Sequence, residues 1–145
     1  MPEYEDLQET YPGAGTFKLG HDAESCTAQI NLVRRGGKRA VCAPLADFEG
    51  APEAMPVVGR TDIVAHWNNT PALIVKTVKV QQVRYCDVNT NMAHSDLGRD
   101  DFIGWRKATK AAIKKDHKFD PEMMLVFEFF QLIEDLDGRQ IEPRS

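Results

Sequence analysis

Residues 16–43 read TFKLGHDAESCTAQINLVRRGGKRAVCA, and the order of signals within this stretch decides the fold class. Thr16 to Gly20 is a short strand candidate. Asp22 or Ser25 can cap a helix running to about Arg35, with Ala23, Cys26, Ile30 and Val33 spaced for one apolar face. Gly36-Gly37 ends that helix, because glycine accepts the left-handed backbone that a helix C-terminus often needs. Lys38 to Ala43 then reads as a strand entering the core.

Downstream, Pro44 to Gly59 holds three prolines, two glycines and three acidic residues and is mostly loop. Thr61 to Trp67 is a strand with imperfect alternation, and Asn68-Asn69-Thr70-Pro71 is a turn. Ala72 to Tyr85 is a long strand, with Val75, Thr77 and Lys79 on one face and Ile74, Lys76, Val78 and Val80 on the other. The segment after it, including His94 and Asp96, reads as loop. Residues 99–118 carry Phe102, Trp105, Thr109, Ala112 and Ile113 on one helical stripe and Lys107, Lys110, Lys114 and Lys118 on the opposite one. Trp105 is expected in the core, and the lysines on the wet side. Pro121 stops the helix, and Met123 to Ile133 is a final buried strand. Residues 1–15 are expected as a flexible acidic arm and residues 135–145 as a polar tail. Strands outnumber helices without regular βα alternation, which argues for an α+β domain or a small barrel with flanking helices, not a doubly wound sheet.

The 145 residues suit one domain, and 42% apolar with 28% charged residues is ordinary for a globular chain. No apolar run approaches the roughly 20 residues that span a bilayer. The first residues, Met1 to Asp6, are acidic where a secretory signal would be basic, so a cytoplasmic location is expected and no membrane partner. Cys26, Cys42 and Cys86 show no paired spacing, and the four histidines have no i,i+4 or HxH pattern. Neither a disulfide framework, a metal site nor a cofactor is indicated. The net charge of −4 hides a division: residues 1–29 sum to −5, residues 30–118 to +6 and residues 119–145 to −5.

Four stretches together with the closing strand resemble the ASCH family of the PUA-like superfamily. Thr16-Phe17-Lys18-Leu19-Gly20 is similar to the family's opening strand. Gly36-Gly37-Lys38-Arg39-Ala40-Val41 looks like its Gly-x-Lys-x-x-Thr signature, and Val58-Gly59 sits where the family has a Val-Gly-Asp turn. Phe102-Ile103-Gly104-Trp105-Arg106-Lys107-Ala108 resembles a helix with a Trp-Arg pair. Met124-Leu125-Val126-Phe127-Glu128-Phe129-Phe130 is like the closing strand. The likeness covers about residues 16–134. It implies a PUA-like mixed β pseudo-barrel with flanking helices and a cleft at the signature loop. Members of the family are proposed to bind RNA, some are assigned ribonuclease activity, and a smaller subgroup are amidohydrolases of acylated cytidine. In that subgroup the signature Lys, the signature Thr and a downstream Glu form the catalytic set.

Carried onto this chain, the resemblance gives Lys38 as the cleft lysine and Asp96 as the nearest counterpart of the glutamate. Val41 stands at the threonine position and has no hydroxyl to activate. The expected activity is therefore binding of RNA, a nucleotide or a modified nucleoside. The alternative is a hydrolase: a ribonuclease, which can use the RNA's own 2′-hydroxyl, or less readily an amidohydrolase. Gly36 and Gly37 are candidates for backbone contacts to an anion beside Lys38, and Arg39 for a phosphate contact. Trp67 is a candidate for base stacking or for packing over the barrel end, and His94 for acid–base work or plain solvation. Cys42 is expected as a packing residue.

Overall fold

In the computed structural model, residues 7–137 are described. Five strands form one sheet: β1 (Gly15–Lys18), β2 (Ala40–Pro44), β3 (Thr61–Ala65), β4 (Pro71–Arg84) and β5 (Met124–Asp135). Their order is β1-β3-β4-β5-β2, with β1 parallel to β3 and every other pair antiparallel. This is the expected α+β class, a curved half-barrel with helices α1 (Leu7–Thr10), α2 (Ala23–Arg34), α3 (Thr90–Leu97) and α4 (Phe102–Lys114) around it.

The apolar run of β5 explains the two-sided core. Strands β4 and β2 pair with its two edges, while α2 covers one of its faces and α3 with α4 the other, so a near-continuous hydrophobic sequence is required. Phe130 joins Cys26, Ile30 and Val33 of α2, together with Val64, Leu73 and Val75. Leu125 and Phe127 point the other way, onto Trp105 and Ile113 of α4 and Met92 and Ala93 of α3. Trp105 is 1% exposed, as a residue on the apolar stripe should be, and Lys107, Lys110, Lys114 and Lys118 are exposed.

Helix α2 begins at Asp22. Its carboxylate accepts from the Ser25 amide at 2.7 Å, and Ser25 Oγ accepts from the Asp22 amide at 3.1 Å. Both candidate caps thus act in one capping box, of which Asp22 is the N-cap. The Ser25 amide, and after it the Ser25 side chain, hold the Asp22 carboxyl below its usual range. At the other end, Gly36 takes φ +80°. The amides of Gly36, Gly37 and Lys38 all turn back onto the last carbonyls of α2, those of Val33 and Leu32.

Three local expectations need correction. The alternation along β4 does not run through: Thr77 pairs with Phe130 and Lys79 with Phe129, so Val78 is an extra residue in a bulge and is 47% exposed. The segment expected as loop after β4 contains α3, capped by the Asn89 side chain on the Met92 amide at 2.9 Å and ended by Gly98 at φ +85°. The strand expected to reach Trp67 ends at Ala65.

Only part of the expected arm and tail falls among the described residues. Residues 1–6 and 138–145 lie outside the described residues. Among the described residues, Leu7, Tyr11 and Ala14 pack against Ile63, Ile74 and Leu136. The Tyr11 hydroxyl donates to Glu134 at 2.5 Å; that bond, aided by burial, pushes the phenol up to about 12. Arg34 of α2 forks onto Asp135 at 2.6 Å and Asp137 at 2.7 Å. Leu136, one residue past the end of β5, is 2% exposed. We expect Leu136→Ala to lower the unfolding free energy by about 2–5 kcal/mol, read from urea titrations. A loss under ~0.5 kcal/mol, usual for a surface site, would return Leu136 to a free tail.

Candidate functional site

The two edge strands of the sheet are β1 and β2, and they do not pair with each other. A cavity of about 660 Å³ opens between them, lined by Phe17–Gly20 on one side and Val41–Ala43 on the other. A second cavity, about 620 Å³, lies between α2 and α4. The two meet at Gln29, Lys38, Cys42, Ala43, Asp96 and Ala112, which line both. They form one cleft whose parts are each of ligand size. At its rim, His117 and Asp47 contact each other at 2.6 Å and tie the end of α4 to the turn after β2.

Lys38 and Asp96 are brought together at the floor, as the sequence pairing of these two candidates requires. The Lys38 ammonium, 4% exposed, donates to the Asp96 backbone carbonyl and to Oδ1 at 3.2 Å. The other carboxylate oxygen, Oδ2, accepts from Trp105 Nε1 at 2.8 Å and from the Cys42 thiol at 3.4 Å. Three chain segments therefore converge on one carboxylate. Backbone contact sets their spacing: the Arg39 amide donates to the Ser95 carbonyl at 2.8 Å, and a Cβ at Gly37 would lie only 2.8 Å from the Gly98 carbonyl. Gly37 is thus needed for the approach of α3.

The remaining sequence candidates stand elsewhere. The Gly36 and Gly37 amides are used within the α2 terminus, so they offer no donors to an anion. The Arg39 side chain is exposed, and neither it nor His94 or Trp67 lines the cleft. His94 belongs to α3, not to a loop, and its Nδ1 contacts Asp100 at 2.6 Å. Trp67 is 40% exposed in the β3–β4 turn, with the Lys18 ammonium 5.0 Å from its ring centroid. Lys18 does line the cleft, which places Trp67 behind a mouth residue. The lysine stripe of α4 is absent from both linings.

Val41 and Cys42 lie on opposite faces of β2, packed against the first and second cores respectively. Burial, then the Asp96 charge, push the Cys42 thiol well above its ordinary value. It is a hydrogen-bond donor here, not a poised nucleophile. Asp96 is fully engaged by three side-chain donors. Among the described residues no group of three or more His, Cys, Asp and Glu is placed to hold a metal, and no helix is long and apolar enough to cross a membrane.

Two cleft residues were not singled out from the sequence. Glu128 interrupts the apolar run of β5; one of its oxygens, Oε2, accepts from the hydroxyl of Thr77, which is 1% exposed. Gln29 lies on α2 three residues after Cys26 and four before Val33, on the buried side. A lone acid in a core strand and an amide on an apolar stripe are the signals that mark them.

Fold and cleft together define an α+β half-barrel with a polar pair buried at its open seam. The ASCH domain profile matches residues 16–134, and the chain belongs to the ASCH family. It is similar to an ASCH domain from Lactobacillus crispatus JV V101, at 25% identity and a TM-score of 0.76, covering 87% of this chain and 83% of that one. It is also similar in fold to protein EF3133 of Enterococcus faecalis V583, at 22% identity and a TM-score of 0.75 over 89% of this chain and 81% of that one. No curated protein matches it significantly.

Breaking the floor pair from one side should be costly. Asp96→Leu leaves the Lys38 ammonium buried and unpaired, and we expect a loss of about 3–5 kcal/mol, part of it regained in Lys38→Met/Asp96→Leu, where Trp105 Nε1 still lacks its acceptor. Urea unfolding of the two variants measures this; equal losses would mean that the charges are not coupled. Because the Cys42 thiolate forms only at high pH, brief alkylation at pH 8 should label exposed Cys86 and spare Cys42 and fully buried Cys26. Peptide mass spectrometry reads the difference.

Proposed function

We propose that the domain binds RNA or a nucleotide-type ligand, including a modified nucleoside, through the Lys38 cleft. The observation that carries this reading is the state of the Lys38 ammonium. It has three donors; Asp96 takes two, and no described residue takes the third. A buried cation with a spare donor on a cavity wall suits a carbonyl or phosphate oxygen of a ligand. Asp96 neutralises the charge in the free protein, so the floor suits a neutral acceptor as well as an anion. Arg99 and Lys18, at the two openings, supply the cations for flanking phosphates.

The reading rests on the cleft and not on an extended basic face, so only a short length of nucleic acid is engaged. Affinity for RNA should then fall with salt on a shallow slope, since a phosphate contact contributes roughly −0.7 per charge on a single strand. The test is a titration of labelled single-stranded RNA, checked for cleavage products on a gel. Lys38→Gln/Asp96→Asn, which removes both charges and keeps the pair hydrogen-bonded, should weaken binding roughly 10- to 100-fold, as expected for one charged hydrogen bond. Unchanged affinity in that variant, or no affinity of the parent for RNA, nucleotides or nucleosides, would overturn the proposal. Lys38-dependent cleavage would replace it with the hydrolase reading.

A further inference from the structure

Resting on that reading, we propose that the cavity between β1 and β2 takes a single nucleobase bearing a ring carbonyl next to an N–H or amino group, with Gln29 and Glu128 as the residues that set its specificity. Three polar groups on this cavity wall lack a full set of protein partners among the described residues. Lys38 has its spare donor. Glu128 commits Oε2 to Thr77, and Oε1 has no protein partner. The Gln29 amide, half-buried, makes no hydrogen bond to the protein and lines both halves of the cleft. The wall therefore offers a cationic donor, an anionic acceptor and an amide that does both.

The apolar part of the same cavity has the complementary character. Phe17, Phe48 and Pro56 line it, the two phenylalanines are half-buried, and neither stacks on another ring of the described residues. Flat apolar walls and a polar edge of mixed sign match a planar heterocycle, whose faces are apolar and whose rim alternates donors and acceptors. A phosphate offers acceptors alone and would meet the Glu128 carboxylate, so phosphates belong at the mouth, beside Lys18. The pairing of Lys38 with a carbonyl and of Glu128 with an N–H also discriminates among bases. Guanine, uracil and cytosine carry a carbonyl and an N–H or amino group on the rim; adenine carries no carbonyl, and would leave the Lys38 donor without its acceptor.

Calorimetric titration of the full chain with guanosine, uridine, cytidine, adenosine and ribose 5-phosphate tests this. At least one of the three carbonyl-bearing nucleosides should bind ten-fold or more tightly than adenosine or ribose 5-phosphate. Gln29→Leu and Glu128→Gln should each weaken that nucleoside about ten-fold while leaving the thermal midpoint within a few degrees. The second variant keeps an oxygen for Thr77. Adenosine binding equally well, ribose 5-phosphate competing equally well, or variants that bind like the parent would each overturn the base pocket. If the parent binds labelled RNA in a Lys38-dependent way but none of the nucleosides, the base pocket falls and the broader reading stands. If RNA also fails to bind, both fall.

Discussion

The buried contact between Lys38 and Asp96 is the constraint around which the site is built. An ammonium that is 4% exposed cannot be left without a counter-charge, because desolvating an unpaired ion is far more costly than desolvating a paired one. Its partner comes from α3, a helix of eight residues with only two of them, Met92 and Ala93, fully buried. Apolar burial alone gives α3 a weak hold. The ion pair, the Arg39–Ser95 backbone bond and the close passage of Gly37 under Gly98 supply the rest. Trp105 then adds α4 to the same carboxylate. One acidic side chain thus fixes the mutual positions of β2, α3 and α4, and with them two walls of the cleft.

The seam of the half-barrel follows from the same geometry. Strand β2 pairs with β5 along one edge only, and its other edge faces the cavity instead of β1. An unpaired edge in a folded domain is normally blunted or covered. Here Gln29 of α2 lines the gap between the edges, which is wide enough for a small molecule. Glu128 belongs to this arrangement. In a strand covered on both sides an acid would be excluded from a dry core, but the position opposite Val41 opens on the cavity, and Thr77 satisfies one oxygen. The bulge at Val78 lies in the β4 segment that carries Thr77, so the departure from regular pairing sits beside the polar contact.

Much of this was legible in the residues. The capping pattern at Asp22 and Ser25, the glycine stop at residues 36–37 and the two-faced run of β5 each report a local requirement that the fold satisfies. Helix α3 was not legible, because its apolar residues are few and its order depends on partners distant in sequence. Yet its ends carry plain signals, Asn89 as cap and Gly98 as stop. Lys38 and Asp96 were found through family resemblance, and the structure brings them together. The glycines beside Lys38 had a different purpose from the one expected. A Gly-Gly step before a lysine looks like an anion-binding loop, but helix α2 claims those amides first, since its terminal carbonyls also need partners. Gly37 is small because a carbonyl passes over it.

The charges of the basic middle segment are dispersed by the fold. Lys107, Lys110 and Lys114 lie on the solvent face of α4 and Lys118 is exposed beyond its end, Arg34 is held by Asp135 and Asp137, and Lys38 is cancelled by Asp96. What remains at the cleft is Lys18 and Arg99 set against Asp47, Asp116 and Glu128, above a floor where Lys38 and Asp96 cancel. Such an arrangement gains little from long-range attraction and much from the fit of donors to acceptors at short range. On the proposed reading, discrimination comes from what enters the seam between β1 and β2, and only weakly from the length of anionic chain attached to it.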